Sequence, residues 1–327
     1  MTKKMLAIVT LCVSLLFLCS CDGTDPQALL DAVAIASAEH GASGHGDAAA
    51  EAFVHWDEDG EVSASCAACH STPGYLNHVA GVEAVATELG TTVECLACHN
   101  DDAMALTSVT FPSGDEITGL GNEAICMQCH SGRASGLSID EAITESGITD
   151  DDTVMPDAGF TNIHYYAAAA TLYGSDSNAG YEYDEDMNGA HAHAAIENKC
   201  YGCHDQHSLE LVETGCTECH ASVPDTSATI SALADDLYEA IQTNAAANST
   251  AIIYESLTYP YFFKDTNANG DVDEGEASYS NQYKGAWTPS LLKAAYNYQL
   301  VLKDPGAYAH NSRYIKELIA ASIADLD

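Results

Sequence analysis

Basic residues are scarce in this chain. Only 10 Lys and Arg stand against 49 Asp and Glu, a formal net charge of −39 over 327 residues. Phosphate backbones need a basic surface, so nucleic acid is excluded as a partner. Such acidity fits a salty environment, repulsion from anionic lipid, or attraction to cationic partners. Long apolar runs are missing after the first twenty residues, which predicts membrane contact only through an anchor. Methionine is rare as well: only Met104, Met127, Met155 and Met187 follow residue 20.

The N-terminus supplies that anchor. Lys3 and Lys4 precede an apolar stretch from Met5 to Leu18, the pattern of a secretory signal peptide. Leu18-Cys19-Ser20-Cys21 looks like the lipobox of bacterial lipoproteins, which predicts removal of residues 1–20 and lipid on Cys21. The protein is then exported, held at the outer membrane or cell surface by lipid, or extracellular. Plain cleavage near residue 20 is the alternative.

Spare cysteine is also missing. Of 13 Cys, Cys12 and Cys19 leave with the signal peptide and Cys21 takes the lipid. The other ten form five pairs: Cys66 with Cys69, Cys95 with Cys98, Cys126 with Cys129, Cys200 with Cys203, and Cys216 with Cys219. Nothing remains for a structural disulfide in an exported chain. Each pair is followed directly by a histidine: His70, His99, His130, His204 and His220. Two close pairs such as CYGCHDQHSLELVETGCTECH would suit a zinc ribbon, and a single pair a redox dithiol. Neither needs a histidine after every second cysteine. Cys-x-x-Cys-His is the attachment signature of c-type haem. Two thiols on one tight turn add to the porphyrin vinyl groups, and the next residue reaches the iron from the same side. The expected cofactors are five covalent haems c.

Each iron then needs a second axial ligand or keeps an open position. Nine histidines remain for this role, against four methionines. His40 and His45, in EHGASGHGDAAA, read as solvent-exposed parts of a tether. His55 among aromatics, His164 before an apolar run, one of His191 and His193, and His207 are the main candidates. His78, on a helix expected between Tyr75 and Leu89, and His310 are open in either direction. His207 follows His204 by three residues, too close to reach the opposite face of the same haem. If it binds iron, it binds a neighbouring haem.

The expected fold is mainly α with extensive irregular loop, a haem-dominated core and a C-terminal helical region. Residues 21–52 read as a flexible tether with a short helix, 53–222 as the pentahaem domain, and 223–327 as the helical region. Apolar spacing predicts helices in TSATISALADDLYEAIQTNAAAN, in PSLLKAAYNYQLVLK behind a Thr-Pro start, and in NSRYIKELIAASIADL. Between the first two, DTNANGDVDEGE matches the EF-hand-like calcium-loop pattern. Asp265, Asn267, Asn269, Asp271 (through its carbonyl), Asp273 and Glu276 are its candidate ligands for one Ca2+, with Gly270 at the turn. No second loop accompanies it, which favours a structural role.

FVHWDEDG before CAACHS, then CHSGR, NIHYYAAAATLYG, GYEYD, CYGCHDQHSLE and WTPSLLKAAYNYQLVLKDPGAYAHN resemble bacterial extracellular multihaem c-type cytochromes. The likeness covers most of residues 53–327. It implies electron transfer at or beyond the cell surface, to partner cytochromes or an acceptor such as metal oxide, through closely packed, mostly bis-His haems. It also supports His55, His164, His191 or His193, and His207 as distal ligands. Two alternatives compete. One is a multihaem reductase for nitrite, hydroxylamine or a sulfur oxyanion, with one open iron. The other is a homopolymeric filament, in which a histidine of one protomer serves the next.

Overall fold

The computed structural model describes residues 26–183, 187–222 and 226–327. The expected signal peptide, Cys21 and the expected boundary at residue 223 lie outside the described residues. Helices dominate: α1 (Pro26–Ala42), α2 (Glu51–Val54), α3 (Ala64–His70), α4 (Thr72–Val79), α5 (Cys95–Cys98), α6 (Asp101–Met104), α7 (Glu123–His130), α8 (Gly136–Ser146), α9 (Ala168–Tyr173), α10 (Glu213–Thr217), α11 (Ser227–Asn248), α12 (Pro289–Lys303), α13 (Ala307–His310) and α14 (Ser312–Leu326). Two antiparallel hairpins, β1 (Ser108–Thr110) with β2 (Glu116–Thr118) and β3 (Ile252–Tyr254) with β4 (Phe262–Lys264), and three short 3-10 turns at Gly174–Ser177, Ala192–Ala195 and Tyr279–Asn281 complete the described elements. The chain is mainly α with extensive irregular loop.

The C-terminal helices form where their apolar spacing places them. On α11, Ile230, Ala234, Leu237, Ile241 and Ala245 make one buried stripe at helical spacing. Thr288 caps α12 by accepting from Leu291 N at 3.3 Å, with Pro289 in the first turn, where no N–H is needed. Asn311 caps α14 through Tyr314 N at 3.2 Å. Nearly every residue of α12 is buried, so it runs through the centre rather than along the surface. Its polar Asn297 is matched: Oδ1 accepts from Tyr181 N at 2.7 Å, and Nδ2 donates to Tyr181 O at 2.9 Å and Ser322 Oγ at 3.0 Å.

This core does not stop at residue 223. Val109, Phe111, Met127, Ile139, Met155, Ile163 and Leu172 join Leu237, Trp287, Leu291, Tyr296 and Leu318 in one cluster. The segment before it is different. Its second cluster consists of Tyr75, Ala97 and Ala103, too little apolar surface to order residues 51–106 alone.

Two expectations change here. The stretch 21–52 is not a free tether where it is described: α1 fills residues 26–42 and the following turn docks on the body. His40 Nε2 contacts Val93 O at 2.7 Å, Val93 N donates to His45 O at 3.2 Å, and Ser43 is buried. The helix expected from Tyr75 to Leu89 is only Thr72–Val79, because the chain turns at Gly81, whose φ of +68° is left-handed.

Candidate functional site

Each Cys-x-x-Cys-His segment forms one helical turn. Those at Cys66 and Cys126 lie within α3 and α7, which both end on the histidine. In the other three the histidine N–H donates to the first cysteine carbonyl: His99 to Cys95 at 2.8 Å, His204 to Cys200 at 2.9 Å, and His220 to Cys216 at 2.9 Å. Residues three and four apart share a helix face, so both thiols and the imidazole leave the turn on one side. All ten thiols are free.

The fourth turn lies in no helix, and the fifth only partly in one. Helix α10 stops at Thr217, so Cys219 lies beyond its end, and the turn continues through Cys219 N and His220 N, which both donate to Cys216 O, at 3.2 and 2.9 Å. Cys219 is exposed, as are Cys95 and Cys98, whereas the other seven attachment cysteines are half-buried. The physical reason is local: no residue of α10 is buried, and neither apolar cluster includes a residue between Tyr201 and His220.

Across from each motif histidine lies a second one. Ring centroids are 5.8 Å apart for His70 and His164, 6.4 Å for His99 and His207, and 6.1 Å for His130 and His45. They are 6.4 Å apart for His204 and His310, and 6.1 Å for His220 and His193. The Nε2 atoms of His70 and His164 face each other at 3.5 Å. A metal–imidazole bond is about 2 Å, so two rings in line on one metal have nitrogens about 4 Å and centroids about 6 Å apart. The five pairs fit that separation. The rings are near perpendicular in His70/His164 (84°) and His193/His220 (86°), and closer to parallel in His99/His207 (18°) and His45/His130 (30°).

The outward nitrogens tell the same story. His70 Nδ1 donates to Ala52 O at 2.8 Å, His130 Nδ1 to Tyr166 O at 2.8 Å, His204 Nδ1 to Leu209 O at 3.2 Å and His193 Nδ1 to Ala309 O at 3.1 Å. His310 Nδ1 meets both oxygens of Asp304, at 2.9 and 2.8 Å. Such a bond fixes the tautomer and leaves Nε2 free to bind a metal. Burial, then the neighbouring His130 and His40, pushes His45 down to about 4. Burial, then His70, does the same to His164. Neutral imidazoles with an available lone pair result, the form a metal needs.

Local backbone holds these rings in place. Gly132, at φ +84°, turns the chain so that Arg133 N donates to Ile163 O at 2.8 Å. His164 and Tyr166 lie at φ +81° and +54°, sparsely populated for bulky residues. His164 N bonds Asn162 Oδ1 at 2.9 Å, and Tyr166 N bonds Lys303 O at 2.7 Å. One short segment therefore presents an imidazole to His70 and orients His130. Backbone strain of this kind clusters at ligand clamps and active sites. The attachment turns also meet one another: the Cys69 thiol contacts that of Cys129, and Cys126 contacts Cys200.

Among the distal candidates, then, His164, His193, His207 and His310 face proximal rings. His191 does not; it caps the turn at residues 192–195, its Nδ1 accepting from His193 N at 3.2 Å. His55 is largely exposed and bonds Glu51 at 2.9 Å, with Trp56 between it and His70. His78 contacts Gln128 Oε1 at 3.0 Å. His45, read from sequence as exposed, fills the fifth place. Its Gly- and Ala-rich surroundings carry no local signal of burial, which comes from docking on Val93 and His130.

The calcium-type loop is closed by its own ends. Asp265 Oδ1 accepts from Ala268 N at 2.6 Å and Oδ2 from Gly270 N at 2.8 Å, while Asp273 accepts from Asn267 Nδ2 at 2.6 Å and Asn269 Nδ2 at 2.9 Å. Asp265 and Glu276 are buried, whereas Asp271 is exposed with Asp273 at the loop surface.

Comparison with known proteins adds an independent line. Residues 51–131 match the family of cytochrome c7 and related cytochrome c. The chain is 28% identical over 352 residues to the C-type polyheme cytochrome OmcB of Geobacter sulfurreducens strain DL-1 / KN400, covering 85% of this chain and 46% of that protein. It is also 28% identical over 358 residues to the C-type polyheme cytochrome OmcC of strain ATCC 51573 / DSM 12127 / PCA, covering 86% of this chain and 45% of that one. The chain thus spans about half the length of the curated relatives it matches. No solved structure matches it significantly. Repeated attachment turns and polyhaem relatives agree in likening this chain to multihaem c-type cytochromes.

Proposed function

We propose that this chain binds five haems c, each between two histidines, and carries electrons along them at the cell surface. The observation that supports this reading is that all five motif histidines face a second histidine at the separation of two axial ligands. The assigned pairs are His70/His164, His99/His207, His130/His45, His204/His310 and His220/His193. When bound, the haems supply one-electron transfer. The chain's own residues set ligand orientation and spacing. Contacts of Cys69 with Cys129 and of Cys126 with Cys200 favour a central third attachment turn, next to the first and the fourth. His207 ties the fourth segment to the second through His99. The exposed Cys95, Cys98 and Cys219 favour the second and fifth haems as points of entry or exit for electrons.

The reading needs neither an open iron nor a ligand from another protomer, because each pair forms within one chain. Export, a lipid on Cys21, and partner cytochromes or a mineral acceptor belong to the same proposal, as does one structural Ca2+ in the loop from Asp265 to Glu276. The test is an iron and haem count with electron paramagnetic resonance of the oxidised protein. Five haems, all low-spin, are expected. A large high-spin fraction that responds to nitrite or hydroxylamine would assign a reductase instead. High-spin haem appearing on dilution would assign the polymer.

A further inference from the structure

We propose that Asp304 is a positioning residue that lowers the reduction potential of one haem, the one on Cys200 and Cys203. This rests on the assignment of His310 as the distal ligand of that haem. Four candidate ligands pass their outward N–H to a neutral backbone carbonyl: His70, His130, His193 and His204. His310 alone among these meets a carboxylate, with Nδ1 at 2.9 and 2.8 Å from the two oxygens of Asp304. That carboxylate is 2% exposed, so water screens it little. It is fixed by its place at the end of α12, where Oδ1 also accepts from Gly306 N at 3.1 Å. Two other acidic groups, Asp205 and Glu39, lie within 4.8 Å of His207, but Asp205 is spent on the backbone N–H groups of His207 and Ser208, and both are half exposed, where water screens them more.

The physics has one direction. A hydrogen bond from imidazole to a carboxylate is about twice as strong as one to a neutral acceptor, and it draws the N–H proton away from the ring. The ring becomes a more basic, more electron-donating ligand, as in the carboxylate–histidine–metal triads of other sites. Uptake of one electron from a redox partner removes one positive charge from the iron. Both the donation and the attraction to Asp304 are then worth less, so the oxidised state gains and the potential falls. The Asp304 charge also reaches His130, favouring its charged form. The haem on Cys126 and Cys129 should feel the same charge more weakly, through space.

Redox titration of the full protein with five attached haems tests this, beside Asp304→Asn and Asp304→Glu. Asp304→Asn should favour reduction of one haem at least tenfold, a rise of about 59 mV for one electron. A smaller rise is expected at one neighbour and almost none at the other three, and Asp304→Glu should stay near wild type. Asp304→Ser, smaller and also neutral, should give the same shift if the amide disturbs packing. Potentials unchanged within twofold in both neutral variants, or all five haems moving together, would overturn the proposal. His310→Ala separates the two layers of the argument. It should turn one haem high-spin, and five haems remaining low-spin would remove the ligand assignment itself rather than the tuning.

Discussion

His164 offers the sharpest test of the ligand pairs, because removing its ring and relieving its backbone pull in opposite directions. Its Nε2 faces that of His70 at 3.5 Å, and its φ is +81°. An L-residue in the left-handed region costs roughly 1–2 kcal/mol, which glycine avoids. His164→Ala and His164→Gly should both lose the distal ligand of the haem on Cys66 and Cys69. One haem of the five should become high-spin in each. The lost low-spin signal should be one of the two most anisotropic, because near-perpendicular ligand rings leave the two iron d orbitals of π symmetry almost degenerate. The pairs His70/His164 and His193/His220, at 84° and 86°, are the ones with that geometry. The variants should then differ in stability. Glycine should exceed alanine by about 1 kcal/mol, or about 2 °C in Tm for a chain of this size. Thermal unfolding followed at the haem absorbance and by circular dichroism reads this difference. An unchanged set of five low-spin signals in either variant would refute the ligand assignment. Equal Tm values would refute the strain.

Three further outcomes follow from other parts of the molecule. His45→Ala should turn the haem on Cys126 and Cys129 high-spin, whereas His55→Ala should leave all five low-spin; the reverse result in resonance Raman spin-state bands would restore His55 as a ligand. Chelation of Ca2+, or Glu276→Gln, should lower Tm, since an ion at 100 times its Kd stabilises the folded state by about 2.7 kcal/mol; a Tm indifferent to added Ca2+ would rule out the site. Burial pushes the Lys303 ammonium from its ordinary value of 10.5 down to about 7. Between those values the unfolded chain holds a proton that the folded chain lacks, so stability should rise with pH across that window. The Tyr165 and Tyr261 rings, with centroids 3.3 and 3.9 Å from Nζ, favour the charged form and reduce the slope below about 1.4 kcal/mol per pH unit. Lys303→Met should flatten that rise in denaturant titrations run at several pH values.

The legible parts of the sequence are those whose cause is local. Cys-x-x-Cys-His needs only one helical turn to aim three side chains the same way, so spacing alone announces it. Spacing does not announce how deep each turn lies: Cys129 and Cys219 hold the same place in their motifs, yet one is half-buried and the other exposed. The stripe on α11 and the Thr-Pro start of α12 are equally local, and the helices form there. Distal ligands are another matter, because a ring becomes a second ligand by where its segment docks. His193 and His191 share one turn, and only tertiary placement separates the ring that faces His220 from the ring that caps the backbone. His55 looked favourable for its aromatic neighbours, yet Trp56, not His55, packs against His70. His45 looked dispensable in its Gly-rich stretch, yet two backbone contacts to Val93 seat that stretch against His130. Composition predicts freedom only while nothing binds the segment. Here the anchoring atoms are a carbonyl and an N–H of a residue about fifty positions away, and no pattern of side chains records them. Asp304 is hidden for the same reason. In KDPGAYAH it reads as a helix stop before Pro305, and its second role exists only because α13 folds His310 back onto it. A helix stop that also charges a ligand needs no residue beyond those the turn already requires. Such double use leaves no separate trace in the sequence, and only coordinates or a shifted potential can expose it.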